Sequence, residues 1–553
     1  MFHWIKKRKF SVIGYLVLLV IATGSMTILN LRIATLFQAA QTKDFVLLLR
    51  LFLILFIWFL LTRVVDYWAD SLSDYIINKI REDIKNALFE KYIGQSVEDY
   101  MIKDAGQYVA DFTNDITLIE AKSLRSYREL SKSLLAIVFG NIAIFSISPV
   151  FDLIILTGIV LCVLTPFVLI KYTTRPMNQF IRSFEVFIQN LKDYFNSFFA
   201  IKNFAAEKEF ETKFNQKNGE IEKKKLEAEI TIDFVNSLIG RLAWIIELAV
   251  ISVGVIQAVQ GKMEISVLFS AYLLCNEICM PLQSITGHVN NIKSVSSIIK
   301  KSNNVKLTKK NEPQEHWGHG DVAIRFEHFS LRKGESLILK DISFTFEEKK
   351  KYLVIGTNGS GKSTWVKALK NIYQNYDGAV YINDTEIRTI PLEAFSHIAI
   401  YSNETVSLFS DSVRNNITLY RDVDAQKMND ALQLSRFNNP LDYQIVDKGR
   451  NISSGEKRKL EITRALLSDA ACFIFDEVVS TLDIETAYEI EKLILSLDKT
   501  VIMVSNAFSG QLLDRYDEII IIKDGSILVH GTHKELLDNS PLYKELYHIR
   551  CEL

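Results

Sequence analysis

Eight consecutive residues, Gly356-Thr357-Asn358-Gly359-Ser360-Gly361-Lys362-Ser363, carry the most specific chemistry in this 553-residue chain. They satisfy G-x-x-x-x-G-K-[ST], the spacing of a phosphate-binding loop. Glycines let the backbone curl so that its N–H groups converge on a polyphosphate. Lys362 reaches the β- and γ-phosphates, and Ser363, followed by Thr364, offers a hydroxyl to Mg²⁺. A second group of residues lies downstream, where the apolar run Cys472-Phe473-Ile474-Phe475 ends in Asp476-Glu477. The first carboxylate can hold Mg²⁺, directly or through water. The second can orient and deprotonate an attacking water, because general-base work needs a carboxylate within hydrogen-bond reach. Each group alone has a plainer reading, a Gly-rich turn or a strand that happens to end in acid. Together they predict a site that binds and cleaves a nucleoside triphosphate.

These residues need elements to hold them. Tyr352–Ile355 is an apolar run before the loop, and Thr364–Lys370 is helix-like after it, so the loop joins strand to helix. Further strands are expected at 322–326, 399–401, 472–475, 500–504 and 518–522, alternating with helical stretches. That alternation predicts an α/β domain over residues 321–553. Residues 301–320 are polar, contain Pro and Gly, lack periodicity and read as a linker.

The first 300 residues belong to a different solvent. The whole chain is 48% hydrophobic with a mean hydropathy of +0.12, and its apolar residues concentrate before about residue 290. Six runs approach the ~20-residue length that spans a bilayer: 10–37, 45–65, 134–148, 151–172, 233–259 and 265–287. The third has a short apolar core that extends upstream. Lys6, Lys7, Arg8 and Lys9, and the Lys/Arg-rich segments 67–130 and 173–230, place the N-terminus and both segments in the cytoplasm. Those segments read as membrane helices continuing into water. No cleavable signal peptide is expected, because the apolar run after Lys9 is too long and lacks a cleavage site. The net charge of −1 offers no reason to bind nucleic acid, and five scattered cysteines form neither a disulfide framework nor a zinc site. Arg241, Glu247, Asn276 and Glu277 fall inside apolar runs, where charges pair with one another or line a cavity.

Upstream of Asp476 lies Asn451-Ile452-Ser453-Ser454-Gly455-Glu456 followed by KRKLEITRALL. Alone, Ser-Ser-Gly-Glu is an ordinary helix cap. In this order with the other motifs it resembles the LSGGQ signature of ATP-binding cassette (ABC) proteins. The resemblance extends along the chain. Ser480-Thr481-Leu482-Asp483 is similar to the family's D-loop, and 516–535 to its last strands and helix. GQYVADFTNDITLIE (106–120) and IKNFAAE (201–207) resemble its cytoplasmic-loop motifs, and 261–282 its sixth membrane helix.

The resemblance implies a multi-domain membrane protein, with a six-helix α transmembrane domain (1–300) fused to an α/β P-loop NTPase domain of ABC type. That is the layout of an exporter half-transporter in a bacterial cytoplasmic membrane. It implies ATP and Mg²⁺ as cofactors. ATP would be held by Gly356–Thr364 and, from a second copy or a different chain, by Ser453, Gly455 and Glu456. Glu477 would act as the base. Partners would be that second half-transporter, membrane lipid and a small-molecule or peptide substrate.

The chain departs from the family at several positions. No aromatic residue lies near Lys333, where one normally stacks on adenine. Asn403 or Glu404 stands where the family has a metal-side Gln, and we take Asn403. Ser454 replaces a Gly and Glu456 a Gln. The switch His is Asn506, which can hydrogen-bond a phosphate but cannot carry charge. These departures favour a heterodimer over a homodimer. The expected function is ATP-driven export of an amphipathic solute such as a peptide, drug or lipid. The alternatives are an importer of siderophore-like cargo on the same fold, or an ATP-binding regulator or channel.

Overall fold

In a computed structural model, residues 2–95, 99–100, 105–303, 322–334, 336–370, 372–373, 375–390, 394–468, 470–506 and 508–551 are described. The chain divides into two units, residues 1–95 with 103–306, and residues 96–102 with 307–553. The predicted linker lies, from residue 304 onward, outside the described residues.

All six apolar runs fall in long helices. These are α1 (Lys9–Arg32, continued by Ala34–Gln41), α2 (Phe45–Ile93), α3 (Arg125–Ile147), α4 (Pro149–Asn196), α5 (Glu207–Val259) and α6 (Ile265–Asn303). Among the described residues, five helical stretches are long and apolar enough to cross a membrane. The apolar part of α4 is shorter, Pro149–Thr165, although the helix runs on to Asn196. The third span does extend upstream, through helical turns that begin at Ala105 and include π-helical segments at Asp111–Asp115 and Ile119–Leu124. Asp44 starts α2 by accepting from the backbone N–H of Leu47 at 3.0 Å, and Pro149 opens α4 at a position where its missing N–H costs nothing.

Where helices cross in lipid, packing rather than hydrophobicity holds them, so small residues sit at the contacts. A Cβ on Gly158 would meet Ile246 at 2.2 Å, and one on Gly254 would meet Leu268 at 2.2 Å. Around these crossings Ile144, Phe151, Ile155, Val250 and Leu274 form a buried core. Phe52, Leu53, Ile57, Leu60 and Leu61 of α2 face outward instead, as the surface of a membrane helix does.

The second unit has two sheets. The smaller is antiparallel with order β2-β1-β4-β5, from β1 (Ile324–Lys333), β2 (Ser336–Phe346), β4 (Asp377–Ile382) and β5 (Thr385–Glu386). The larger has order β10-β9-β3-β8-β7-β6, from β3 (Lys351–Gly356), β6 (Ala399–Ser402), β7 (Cys472–Asp476), β8 (Thr500–Val504), β9 (Glu518–Lys523) and β10 (Ser526–Gly531). Its strands run parallel except for the β9–β10 pair. Apolar clusters cover both faces of this sheet, which is why β3, β7 and β8 read as unbroken apolar runs. β3 lies between β8 and β9, so the loop that follows it opens at the middle of the sheet's C-terminal edge, where α/β sheets bind ligands.

Candidate functional site

The turn after β3 is built for close backbone approach. A Cβ at Gly356 would lie 2.2 Å from the carbonyl oxygen of Ile522 on neighbouring β9. Gly361 has φ +101 and caps α7 (Lys362–Ala368), a conformation glycine adopts without cost. Lys362 is 5% exposed and folds back, its Nζ donating to the carbonyls of Gly356 (2.8 Å) and Thr357 (3.1 Å). The hydroxyl of Ser360 is buried without a hydrogen-bond partner among the described residues. An orphaned buried hydroxyl inside a glycine-rich turn is a group left for a ligand.

Beside the loop is a cavity of about 800 Å³ lined by Asn358, Gly359, Gly361, Lys362, Ser363, Thr364 and Glu477. Leu331, Arg332, Lys333 and Ile338 of the β1–β2 hairpin form another wall, joined by Tyr373. The residues around Lys333 therefore supply cations and aliphatic carbons, and the aromatic ring of the cavity comes from a segment that sequence reasoning did not single out.

Parallel pairing of β7 with β8 sets Asp476 opposite Val504. Asp476 is 4% exposed. Its Oδ1 accepts from Ser363 Oγ at 2.8 Å and its Oδ2 from Tyr401 Oη at 2.5 Å. Burial, then the neighbouring carboxylate, pushes the Tyr401 phenol above its ordinary pKa, so it remains a donor. Among the described residues no Lys or Arg forms an ion pair with Asp476. A buried carboxylate offset only by two hydroxyls fits a divalent cation beside Ser363. Ser363 and Asp476 would hold that ion, which supplies charge neutralisation for a polyphosphate.

Glu477 follows in the left-handed region, φ 57, with its N–H donating to the Val504 carbonyl at 2.8 Å. For a non-glycine residue this conformation costs roughly 1 kcal/mol. It turns the carboxylate towards the cavity. Asn506, just beyond β8, joins the two sides of the site through Nδ2, which donates to Glu477 Oε1 (3.1 Å) and to Asn358 Oδ1 (2.8 Å).

Asn403 is not brought to this cluster. Ser402 pairs with Phe475 at the end of β6, and the Asn403 carbonyl accepts from Arg458 Nη1 at 2.8 Å while its side chain is exposed. Among the described residues no hydrogen bond joins that side chain to Ser363 or Asp476. Tyr401, two residues earlier, makes the contact instead. Sequence reasoning missed it because the contact exists only through β6–β7 pairing.

The predicted signature residues also lie outside the cavity lining. Ser453 N-caps α8 (Ser454–Leu467) in a capping box. Its Oγ accepts from the Glu456 N–H (3.2 Å), and Glu456 Oε2 accepts from the Ser453 N–H (2.8 Å) and Oγ (2.8 Å). The Ser453 N–H leads the contacts that hold the Glu456 carboxyl below its usual range. Gly455 lies close to Thr486, whose methyl would sit 2.9 Å from a Cβ there. One turn on, Arg458, with its side chain 2% exposed, donates to Ser402 Oγ (3.0 Å), to the Asn403 carbonyl and to the Glu404 carbonyl (2.9 Å), and pairs with Glu461 at 2.5 Å. Burial pushes the Glu461 carboxyl up and the Arg458 guanidinium down, and the ion pair opposes both. Asp483 caps α9 (Ile484–Leu495) by accepting from the Thr486 N–H at 2.9 Å.

Comparison with known proteins extends this picture over the whole chain. The model of the ABC transporter transmembrane region matches residues 11–282, and that of the ABC transporter domain matches residues 339–480. An uncharacterized ABC transporter ATP-binding protein of Bacillus subtilis, YfiC, is 24% identical over 529 residues, 92% of this chain and 85% of that protein. A putative multidrug export ATP-binding/permease protein of Staphylococcus aureus strain NCTC 8325 is 24% identical over 90% of this chain and 88% of its own. The ATP-dependent lipid A-core flippase of Vibrio parahaemolyticus is 30% identical over 242 residues, 42% of this chain and 41% of that one. A solved bacterial Atm1-family ABC exporter with ATP bound has the same fold, with a TM-score of 0.84 over 99% of both chains at 16% identity. A multi-pass membrane region with a cytoplasmic ATP-binding domain, in the layout of a half-transporter, makes this chain a member of the ABC transporter family.

Proposed function

We propose that this chain is one subunit of an ATP-driven exporter that moves an amphipathic solute out across the cytoplasmic membrane. The observation that carries the reading is the meeting of Ser363, Asp476, Glu477 and Asn506 around one cavity, at the edge of a sheet in a chain whose described residues also hold five long apolar helical stretches and a shorter sixth. In this reading Gly356–Thr364 bind the triphosphate of ATP, Ser363 and Asp476 hold Mg²⁺, and Glu477 takes the proton of the attacking water. Asn506 keeps Glu477 and Asn358 in one frame. A second half-transporter completes the machine: its signature segment closes over this chain's ATP, and this chain's Ser453–Glu456 segment over the partner's. ATP must favour the closed pair of domains over the open one, or binding shifts nothing.

The membrane unit supports an amphipathic cargo with a positive group. Glu277 on α6 accepts from Thr27 Oγ1 (2.7 Å) and Asn30 Nδ2 (2.7 Å), both neutral donors. It lines a cavity of about 330 Å³ with Met26, Met280, Leu19 and Asn276. Asn276 in turn donates to buried Glu247 at 3.3 Å, whereas Arg241 is exposed. The charges of Arg63, Lys132 and Asp66, which line the same cavity, pair with one another, so Glu277, held by neutral donors beside Leu19, Met26 and Met280, is the carboxylate that suits a cation carrying hydrocarbon.

Inside-out vesicles containing the chain, alone and with a co-expressed neighbouring half-transporter, should accumulate a cationic dye with ATP, and Glu477→Gln should stop it. Dye movement in the opposite direction would mean import. ATP binding with no movement in either preparation would mean a regulator or channel. Accumulation only with the second chain would establish the heterodimer.

A further inference from the structure

We propose that Tyr401 is a positioning residue for the divalent cation of this site, acting by fixing the Asp476 carboxylate; the inference rests on the nucleotide reading given above. Three observations converge on it.

The first is register. In the β6–β7 pair, Tyr401 lies opposite Ile474 and Ser402 opposite Phe475. The position level with Asp476 is therefore Asn403, which is turned outward and whose carbonyl is held by Arg458. A side chain two residues earlier must cover about 6.6 Å along the strand. A tyrosine leaning along the strand covers that distance, and its Oη stands 2.5 Å from Asp476 Oδ2. No smaller polar side chain at 401 would reach.

The second is rigidity. The Tyr401 ring is packed against the core beneath the larger sheet, and the ammonium of Lys367 on α7 lies 5.8 Å from its centroid. A half-buried phenol whose ring packs against the core is restricted in where it presents its hydroxyl, and at neutral pH it can donate.

The third is the balance of contacts at Asp476. Each oxygen has one described partner, Ser363 on Oδ1 and Tyr401 on Oδ2. A hydroxyl that turns a lone pair to a cation no longer fixes the carboxylate as a free donor does, because its geometry is set by the metal. The phenol is then the contact that stops the carboxylate from rotating about its Cβ–Cγ bond. Tyr401 touches neither nucleotide nor water in this scheme. It works through Asp476.

The variant Tyr401→Phe removes one oxygen and keeps the ring. In the full chain, in detergent, binding of trinitrophenyl-ATP should need about ten to a hundred times more Mg²⁺ for half-saturation, the loss of one hydrogen bond to a charged group. Affinity for the same probe in EDTA should be unchanged. ATP hydrolysis should show the same displacement along the Mg²⁺ axis and approach the parent rate at saturating Mg²⁺. An unaltered Mg²⁺ midpoint would overturn the proposal. So would an equal loss of affinity in EDTA and in Mg²⁺, which would make Tyr401 a packing residue. Asp476→Asn serves as the reference, expected to abolish the Mg²⁺ dependence. If it leaves that dependence intact, the metal site itself has been misplaced and Tyr401's role falls with it, whereas a failure of Tyr401→Phe alone leaves the nucleotide reading standing.

Discussion

The phosphate loop and the start of α8 are both glycine-containing turns that feed a helix, yet they treat their polar groups in opposite ways. At the loop, Ser360 keeps a buried hydroxyl without a partner among the described residues, and Lys362 is held by carbonyls of the loop itself. Both arrangements release donors when an anion arrives. At α8, Ser453 and Glu456 satisfy each other through three hydrogen bonds. A phosphate approaching that turn has to displace a carboxylate that is already seated, and it meets negative charge at the helix start. The loop is thus open to a ligand within one chain, whereas the α8 turn has to give up its internal contacts before it can meet a nucleotide. Sequence spacing describes both turns equally well and does not separate them.

Four substitutions test that contrast. The largest effect is expected on the loop side. Glu477→Gln should lower phosphate release by about 10²–10⁴-fold, the range for a general base, while trinitrophenyl-ATP binding persists. Loss of trinitrophenyl-ATP binding to the chain from a substitution in 453–456, as large as that from a substitution in the loop, would erase the distinction. Arg458→Met comes next. It leaves half-buried Glu461 without its ion-pair partner and should destabilise the nucleotide domain by about 3 kcal/mol, read as a lower thermal midpoint in detergent, with most of the loss recovered when Glu461→Leu is added. Asn506→His should add a pH limb to hydrolysis. Asparagine does not titrate, so the parent rate has no step from this position. The imidazole gains its proton as pH falls through about 6.5, and the variant should run about threefold faster at pH 6 than at pH 8 relative to the parent.

Glu456→Gln is the smallest. The capping geometry survives, and only the favourable charge at the helix start is lost, about 0.5 kcal/mol. The Glu456 carboxyl is depressed in the fold. Its contribution is therefore present above the unfolded value of 4.5 and disappears as pH falls through the folded one. Parent and variant midpoints should differ at pH 7 and coincide at strongly acid pH.

Contiguous features were legible in the sequence. Strand, loop and helix around Lys362 follow one another within about twenty residues, and most apolar runs of the membrane region signal themselves by length. The predicted helix at 364–370 begins two residues early, at Lys362, because Gly361 already caps it. Of the antiparallel sheet only β1 was anticipated, and it begins at Ile324. β2 exposes alternate residues and lacks the unbroken apolar run that marks β3 or β7. Tyr401 was invisible for a different reason. Its contact with Asp476 spans 75 positions of chain, and nothing in YSNETVSLF tells a packing tyrosine from one that reaches a carboxylate. Glu277 was noticed as a charge in an apolar run, but its partners Thr27 and Asn30 lie about 250 positions earlier on α1 and only the folded helices bring them together.

The length of α2 has a mechanical consequence. Forty-nine residues without a break make a rod of about 74 Å at 1.5 Å per residue, more than twice the ~30 Å of hydrocarbon it crosses. A tilt of a few degrees about the bilayer centre sweeps its far tip through several ångströms, further than any hydrogen bond can stretch. Whatever grips that tip is carried with it, so small movements within the lipid reach the aqueous end enlarged.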